Sequence, residues 1–130
     1  MKAADLMIGD WVGRVFDNKR IIEDYRQVDW IRTGEIGMRY QKVWSIGCIE
    51  PIPLTPEILE KNGFTKVNSQ RYDYGYPDTD CYVKVNPKKN MIHVNGRNAN
   101  SNLYSHSFVH ELQRALRLCG LDEIADNFKV

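Results

Sequence analysis

The first fifty residues carry short apolar runs that alternate with turn-forming residues. Asp10–Phe16 is rich in valine and aromatic residues, which favour strands, and turn-forming residues stand on both sides of it. Several short strands at this spacing are typical of small barrels, so we predict an SH3-like barrel or a curved antiparallel sheet over residues 1–50. The further strands predicted here are Arg20–Tyr25, Val28–Arg32, Gly37–Val43 and Ile46–Ile49.

A proline-rich connector with one short helix is predicted over residues 51–64. Thr55 is a good N-cap, and Pro56 suits the first helical position because proline lacks the N–H that would be unsatisfied there. Asn62 and Gly63 tolerate the left-handed conformation that ends many helices. The side chains expected to face inward are those of Ile58, Leu59 and Phe64.

Residues 65–130 are predicted to form a β-meander with a covering helix. Asp80–Asn86 and Met91–Asn95 alternate apolar and polar residues, which is typical of strands with one face in water. Phe64–Asn68 can form a further strand. A tyrosine-rich turn is predicted at Arg71–Asp78 and a polar loop at Arg97–Asn102.

The longest helix is predicted at Phe108–Cys119, with Ser107 as its cap and Gly120 as its end. Its apolar residues recur at the spacing of one helix face, which predicts that this face packs on the meander. For residues 122–130 a short turn or an edge strand is predicted. The helix residues expected inside are Val109, Leu112, Leu116 and Cys119, and those expected outside are His110, Gln113, Arg114 and Arg117. The predicted fold class is therefore α+β.

The charge balance argues against a dedicated nucleic-acid binder. Eighteen lysines and arginines face seventeen aspartates and glutamates, which leaves a formal net charge of +1. Proteins that bind nucleic acid usually carry a basic excess, because neutralised phosphates supply most of the non-specific affinity.

The cysteines and the hydropathy of the chain bear on its location. Three widely spaced cysteines without a CxxC pattern (Cys48, Cys81 and Cys119) indicate reduced thiols, and no apolar run is long enough to span a bilayer. A cytoplasmic location is predicted.

Three stretches of the chain resemble a known group of proteins. They are LMIGDWV near the start, PIPLTPEILEKNGF at Pro51–Phe64, and VHELQRALRLCG at Val109–Gly120. Together they are similar to a family of small uncharacterised proteins encoded in gut bacterial genomes and in their phages or mobile elements. The resemblance supports the predicted architecture and implies no activity or substrate.

The chain shows no arrangement that predicts catalysis, a metal site or a cofactor. His110-Glu111 begins like the zinc motif H-E-x-x-H, but Arg114 stands where the second histidine ligand would be. His106 precedes the helix cap, so it does not form a regular pair with His110. The aspartates near Gly75 and Pro77 lack the spacing of a calcium loop and are interpreted as turn residues.

Two surfaces are candidates for binding. Tyrosine-rich loops make good protein contacts, because each ring offers a large area at little entropic cost. A partner-binding patch is therefore predicted at Tyr72, Tyr74, Tyr76 and Tyr82. The alternative is a weak nucleic-acid surface on the N-terminal sheet, where aromatic rings would stack on bases and basic side chains would contact phosphates. Its residues would be Trp11, Arg14, Lys19, Arg20, Arg32 and Arg39, near Trp30 and Trp44.

The sequence thus predicts a non-catalytic binding or adaptor protein that acts on an unknown protein partner or by self-association. Binding of nucleic acid by the N-terminal sheet is kept as the alternative, and no membrane partner is expected.

Overall fold

The computed structural model describes residues 5–15, 22–40, 42–75, 82–96, 99–104 and 108–130. The chain divides into two compact units, Met1–Ile52 and Pro53–Val130. Among the described residues, each unit contains one five-stranded antiparallel sheet, and the α-helices belong to the second unit. The α+β prediction is confirmed. The helix of the predicted connector lies in the second unit rather than between two domains.

The sheet of the first unit is an antiparallel meander whose last strand returns beside the first. Its strand order is β4-β3-β2-β1-β5, and a 3-10 turn at Ile46–Cys48 separates β4 from β5. Within the described residues β4 and β5 are the two ends of this order, so the sheet is open and the predicted SH3-like barrel is not confirmed. The strands are β1 (Trp11–Val15), β2 (Ile22–Arg32), β3 (Glu35–Met38), β4 (Lys42–Ser45) and β5 (Ile49–Glu50).

Strand β2 is longer than predicted and pairs with strands in both halves of the sheet. It pairs with β1 through its first half and with β3 through its second half, and the register with β3 shifts between Val28 and Trp30. Such a bulge bends a strand and increases its twist. The sequence suggested two strands here, Arg20–Tyr25 and Val28–Arg32, with the polar residues Arg26 and Gln27 between them. The core of the unit lies on one face of the sheet and consists of Leu6, Val12, Val28, Ile36, Met38, Trp44 and Ile49.

The second unit has a sheet in the simple order β10-β9-β8-β7-β6. The predicted meander strands are present, with Val83, Val85, Ile92 and Val94 buried on one face. Two predictions are wrong: Tyr72–Tyr74 is a strand rather than a turn, and Ala99–Tyr104 is a strand rather than a loop. The strands are β6 (Thr65–Lys66), β7 (Tyr72–Tyr74), β8 (Tyr82–Asn86), β9 (Met91–Gly96) and β10 (Ala99–Tyr104).

Three α-helices complete the second unit: α1 (Pro56–Lys61), α2 (Val109–Leu118) and α3 (Asp122–Asp126). Helix α2 packs on β9 and on α3, and its predicted inner residues Val109, Leu112, Leu116 and Cys119 are buried. Gly120, with a φ of +78°, ends it as predicted, and the amide of Leu121 donates to the Leu116 carbonyl at 2.9 Å. The predicted cap Ser107 lies outside the described residues.

The prediction that His110 and Gln113 face outward is wrong. Both side chains are buried, and Gln113 Nε2 donates a 2.9 Å hydrogen bond to the carbonyl of Ala125. Helix α3, which the sequence left as a turn or a strand, packs on this side of α2 and removes it from water. The amide of Gln113 satisfies a carbonyl of α3, so its burial is compensated.

Helix α1 begins and ends as the sequence predicts. The Thr55 hydroxyl accepts a hydrogen bond from the Ile58 amide at 3.3 Å, and Pro56 is the first helical residue. Gly63, with a φ of +86°, follows the end of the helix, and Phe64 is buried beside it. The C-cap residue Asn62 also binds the main chain of Lys129 through both ends of its amide, at 2.7 Å each.

Replacement of the helix cap should have a small and specific cost. We expect Thr55→Ala to lower the free energy of unfolding by about 1 kcal/mol, because the Ile58 amide loses its acceptor. Thr55→Ser keeps the hydroxyl and is the matched control. Urea denaturation of both variants checks this, and equal stability of the two variants would show that the hydroxyl does not cap the helix.

Candidate binding surface of the first unit

The sheet of the first unit has one core face and one outer face. Side chains alternate between the faces along each strand, and directly opposed residues share a face. Val12, Val28 and Ile36 point into the core, so the residues that alternate with them point outward. The register places four large side chains on this outer face: Trp11 and Tyr25 on one half, and Trp30 and Val43 on the other.

These outer side chains are accessible to a partner. Tyr25 is 46% exposed and Val43 is 53% exposed, while Trp11 and Trp30 are half-buried. We name Trp11, Tyr25, Trp30 and Val43 the outer aromatic face. Aromatic rings that are partly buried in their own sheet have little rotamer freedom left to lose, which favours their use in binding.

Gly37 gives Trp30 its position. Gly37 is directly opposite Trp30, and a Cβ atom on Gly37 would fall within the indole ring. The ring therefore lies flat over the backbone of β3. The Arg32 guanidinium lies 4.9 Å from the centroid of the same ring and forms an ion pair with Glu35. This side of the outer aromatic face is therefore ordered by a glycine, a cation–π contact and an ion pair.

A tight turn before β1 positions Trp11. Gly9 has a φ of +93°, a conformation that favours glycine, and the buried Asp10 carboxylate accepts a 2.8 Å hydrogen bond from the Met7 amide. Gln27, which is directly opposite Trp11, donates from Nε2 to the Gly9 carbonyl at 3.0 Å. Buried polar contacts thus fix the start of the strand that carries the indole.

A small cavity adjoins the outer aromatic face. Its volume is about 190 Å³, and it is lined by Trp11, Tyr25, Arg26, Gln27, Arg39 and Tyr40. Small-molecule pockets usually measure roughly 300–1,000 Å³, so this cavity has the size for one side chain rather than for a whole ligand. Tyr40, at a φ of +67°, is 82% exposed at its rim.

Two arginines near this face have carboxylate partners. The Nε atom of Arg26 binds the Asp24 carboxylate at 3.2 Å, and its guanidinium lies 5.8 Å from the centroid of the Tyr40 ring. Arg32 is paired with Glu35. Two of the three arginines near the aromatic face are therefore in neutralised pairs, and the third, Arg39, lines the cavity.

The structure separates the residues of the predicted nucleic-acid surface. Trp11 and Arg39 line the cavity together, and Arg32 lies beside Trp30. Arg14 points to the opposite, core face of the sheet, where its guanidinium lies 5.7 Å from the centroid of the buried Trp44 ring. Lys19 and Arg20 lie outside the described residues. Stacking rings and basic side chains thus share a face only in part.

The tyrosines of the predicted partner-binding patch also fail to form one surface. Tyr72 and Tyr74 are opposite the buried Val85 and Val83, which puts both on the core face of the second sheet. Tyr72 is only 4% exposed, and the ring of Tyr74 packs on that of Phe64 with centroids 5.4 Å apart. Tyr82 lies on the open face of the sheet, and Tyr76 lies outside the described residues.

No metal or membrane site emerges from the part of the chain that is described. Within it, no three histidine, cysteine, aspartate or glutamate side chains come close enough to hold a metal ion. His106 and Cys81 lie outside this part. Among the described helices, none has the length and apolar character needed to cross a bilayer.

Sequence reasoning missed Tyr25, Val43 and Tyr40 as surface residues. Tyr25 and Gln27 alternate with polar neighbours, so their face becomes clear only when β2 is paired with β1. Val43 was predicted only as the last residue of the strand Gly37–Val43. Gly37 was a signal in the sequence that could have indicated where the Trp30 ring lies, because a glycine within a strand often marks the close approach of another group.

Comparisons with known proteins find no match to this chain. No protein-family model matches the chain, and neither the curated proteins nor the solved structures yield a significant match. The resemblance to the gut-bacterial family, and the functional interpretation of the outer aromatic face, therefore stay hypotheses.

Proposed function

We propose that this chain is a non-catalytic binding protein that acts as an adaptor through protein–protein contacts on the outer aromatic face. The observation that carries the proposal is a partly exposed set of aromatic and aliphatic side chains, near which Arg26 and Arg32 pair with carboxylates. Consistent with the resemblance, we place the protein among those of phages or mobile elements, acting in the cytoplasm.

The charge arrangement favours a protein over a nucleic acid as the partner. A nucleic acid needs cations that can exchange their counterions for phosphates, and Arg26 and Arg32 would first have to leave Asp24 and Glu35. A protein surface with apolar side chains makes no such demand. It would bury Tyr25 and Val43 and insert one side chain into the cavity between Trp11 and Arg39.

The connectivity of the first unit supports an SH3-like interpretation as part of this proposal. The order β4-β3-β2-β1-β5, the long bent β2 and the 3-10 turn before β5 are features of that barrel type. SH3-like barrels host many unrelated functions, so the interpretation concerns the scaffold and leaves the partner to the surface residues.

The test compares capture of partners by wild-type protein and by surface variants. We expect Tyr25→Ser combined with Val43→Ser to reduce recovery of a specific partner about tenfold, because two exposed contacts are lost. Val67→Ser is the matched control, since Val67 is similarly exposed in the second unit. A photo-crosslinking amino acid placed at position 25 should form a covalent crosslink to the same partner.

Two results would overturn this proposal. One is equal recovery of the same proteins by the double variant and by wild type. The other is tight binding of a labelled oligonucleotide in a polarisation assay, with affinity falling about a thousandfold or more between roughly 50 and 200 mM salt. The second result would favour the nucleic-acid alternative. Trp11 and Arg39, which line the cavity, would then be the first residues to substitute.

A further inference from the structure

The open face of the second sheet carries basic side chains on neighbouring strands. Lys84 on β8 is directly opposite Asp73 on β7 and His93 on β9, so the three form a row across the sheet. Arg71 immediately precedes β7 and reaches Asp73 from that side. These side chains lie opposite the face that buries Val83 and Val85, so they are separate from the core.

A cavity lies at this row of side chains. Its volume is about 380 Å³, which is within the range of small-molecule sites. None of its six lining residues is acidic, and four of them carry side-chain nitrogen donors. The lining residues are Arg71, Lys84, Val85, Asn86, Met91 and His93.

The adjacent carboxylate, Asp73, is largely engaged by Arg71. Nε of Arg71 donates to one carboxylate oxygen at 2.8 Å, and Nη2 donates to the other at 2.7 Å. This hydrogen bonding raises the pKa of Arg71 above its ordinary value, so the guanidinium stays charged at any working pH. The buried carboxylate thus fixes the guanidinium at the cavity, in the way that a supporting residue orients a binding group.

Lys84 is positioned by an aromatic ring. Its Nζ atom lies 5.0 Å from the centroid of the Tyr82 ring, and the His93 ring centroid lies 6.2 Å from the same ring. One carboxylate beside one arginine and one lysine leaves a net positive local charge, which favours an anion.

We propose that this cavity binds a small organic phosphate. Arginine, lysine and histidine side chains line the same cavity, and such donors suit the several acceptor oxygens of a phosphoryl group. The cavity is larger than a phosphate ion, and Met91 supplies an apolar wall for the organic part of the ligand. The chemical class is therefore a phosphomonoester up to about the size of a mononucleotide.

The test uses adenosine 5′-monophosphate as the probe, with inorganic phosphate and adenosine as comparisons, measured by calorimetry on the full chain. We expect saturable binding of the monophosphate, weaker binding of phosphate and none of adenosine. Lys84→Gln and His93→Gln should each weaken the monophosphate on the order of tenfold, because each removes a donor or a charge. Lys88→Gln is the control, since Lys88 is exposed and does not line this cavity.

NMR during the titration reports whether the ligand occupies this cavity, through the amide chemical shifts of Asn86 and Met91. Circular dichroism verifies that each variant is folded. The proposal is overturned by the absence of saturable binding up to about 10 mM probe, a concentration well above that of a functional site. It is also overturned if adenosine binds as well as its monophosphate, or if Lys88→Gln weakens binding as much as Lys84→Gln.

Discussion

Leu112→Ala should lower the free energy of unfolding of the second unit by about 2–5 kcal/mol. Leu112 is fully buried on α2, on the stripe that packs against the sheet. Truncation removes buried methyl groups and leaves a cavity that the surrounding side chains can close only partly. The expected loss is a large part of the stability of a domain of this size.

The same helix provides the control for this prediction. Leu118 is 49% exposed, so Leu118→Ala should change stability by less than about 0.5 kcal/mol. Urea denaturation followed by far-ultraviolet circular dichroism measures both variants. Similar losses in the two would contradict the burial of Leu112 as the cause, because helix propensity by itself favours alanine over leucine at both positions.

Gly37→Ala should destabilise the first unit by about 3 kcal/mol and displace the indole of Trp30. A Cβ atom at Gly37 would overlap the Trp30 ring, which lies over the backbone of β3. Either the ring leaves the sheet, which also breaks its contact with Arg32, or the strands move apart. Both results expose the indole to water, so tryptophan emission should shift to longer wavelength.

Gly47→Ala is the control for Gly37→Ala. A Cβ atom at Gly47 would meet nothing closer than the Ser45 hydroxyl oxygen, at 3.9 Å. We expect its effect to be smaller than about 1 kcal/mol and its emission spectrum to match that of the wild type. An unchanged spectrum for Gly37→Ala itself would contradict the placement of Trp30 over Gly37.

The features predicted correctly from the sequence are those that depend on near neighbours in the chain. Thr55 caps α1 because its hydroxyl and the Ile58 amide are three residues apart. Strands β8 and β9 were predicted because their own alternation marks a buried face and a wet face. In each case the information lies within a few residues.

The failures concern elements that are defined by pairing or packing with another segment rather than by their own residue pattern. Strand β10 is polar and shows no apolar alternation, and its backbone pairs with β9 along six residues. Gln113 is buried because α3 covers it. No side chain caps the start of α3, so the sequence carries no capping signal for this helix. Hydrogen bonds to another segment leave little trace in the pattern of side chains along an element.

The candidate sites were predictable only in part for the same reason. Trp11 and Arg39 were chosen for their chemistry, and the structure places both at one cavity. Arg14 was chosen on the same grounds, but alternation along β1 directs it to the core face. Residue type indicates which side chains can bind, whereas strand register decides which of them can act together.

By itself, the sequence determined the α+β class, the capped helix α1, the inner stripe of α2 and the two alternating strands of the meander. Capping, helical periodicity and strand alternation act over a few residues, and so they can be read locally. Only the tertiary structure decided the shared use of β2, the pairing of β10, the burial of Gln113 and the faces on which the aromatic and basic side chains lie. These depend on register and packing between segments, which the free energy of the whole fold determines.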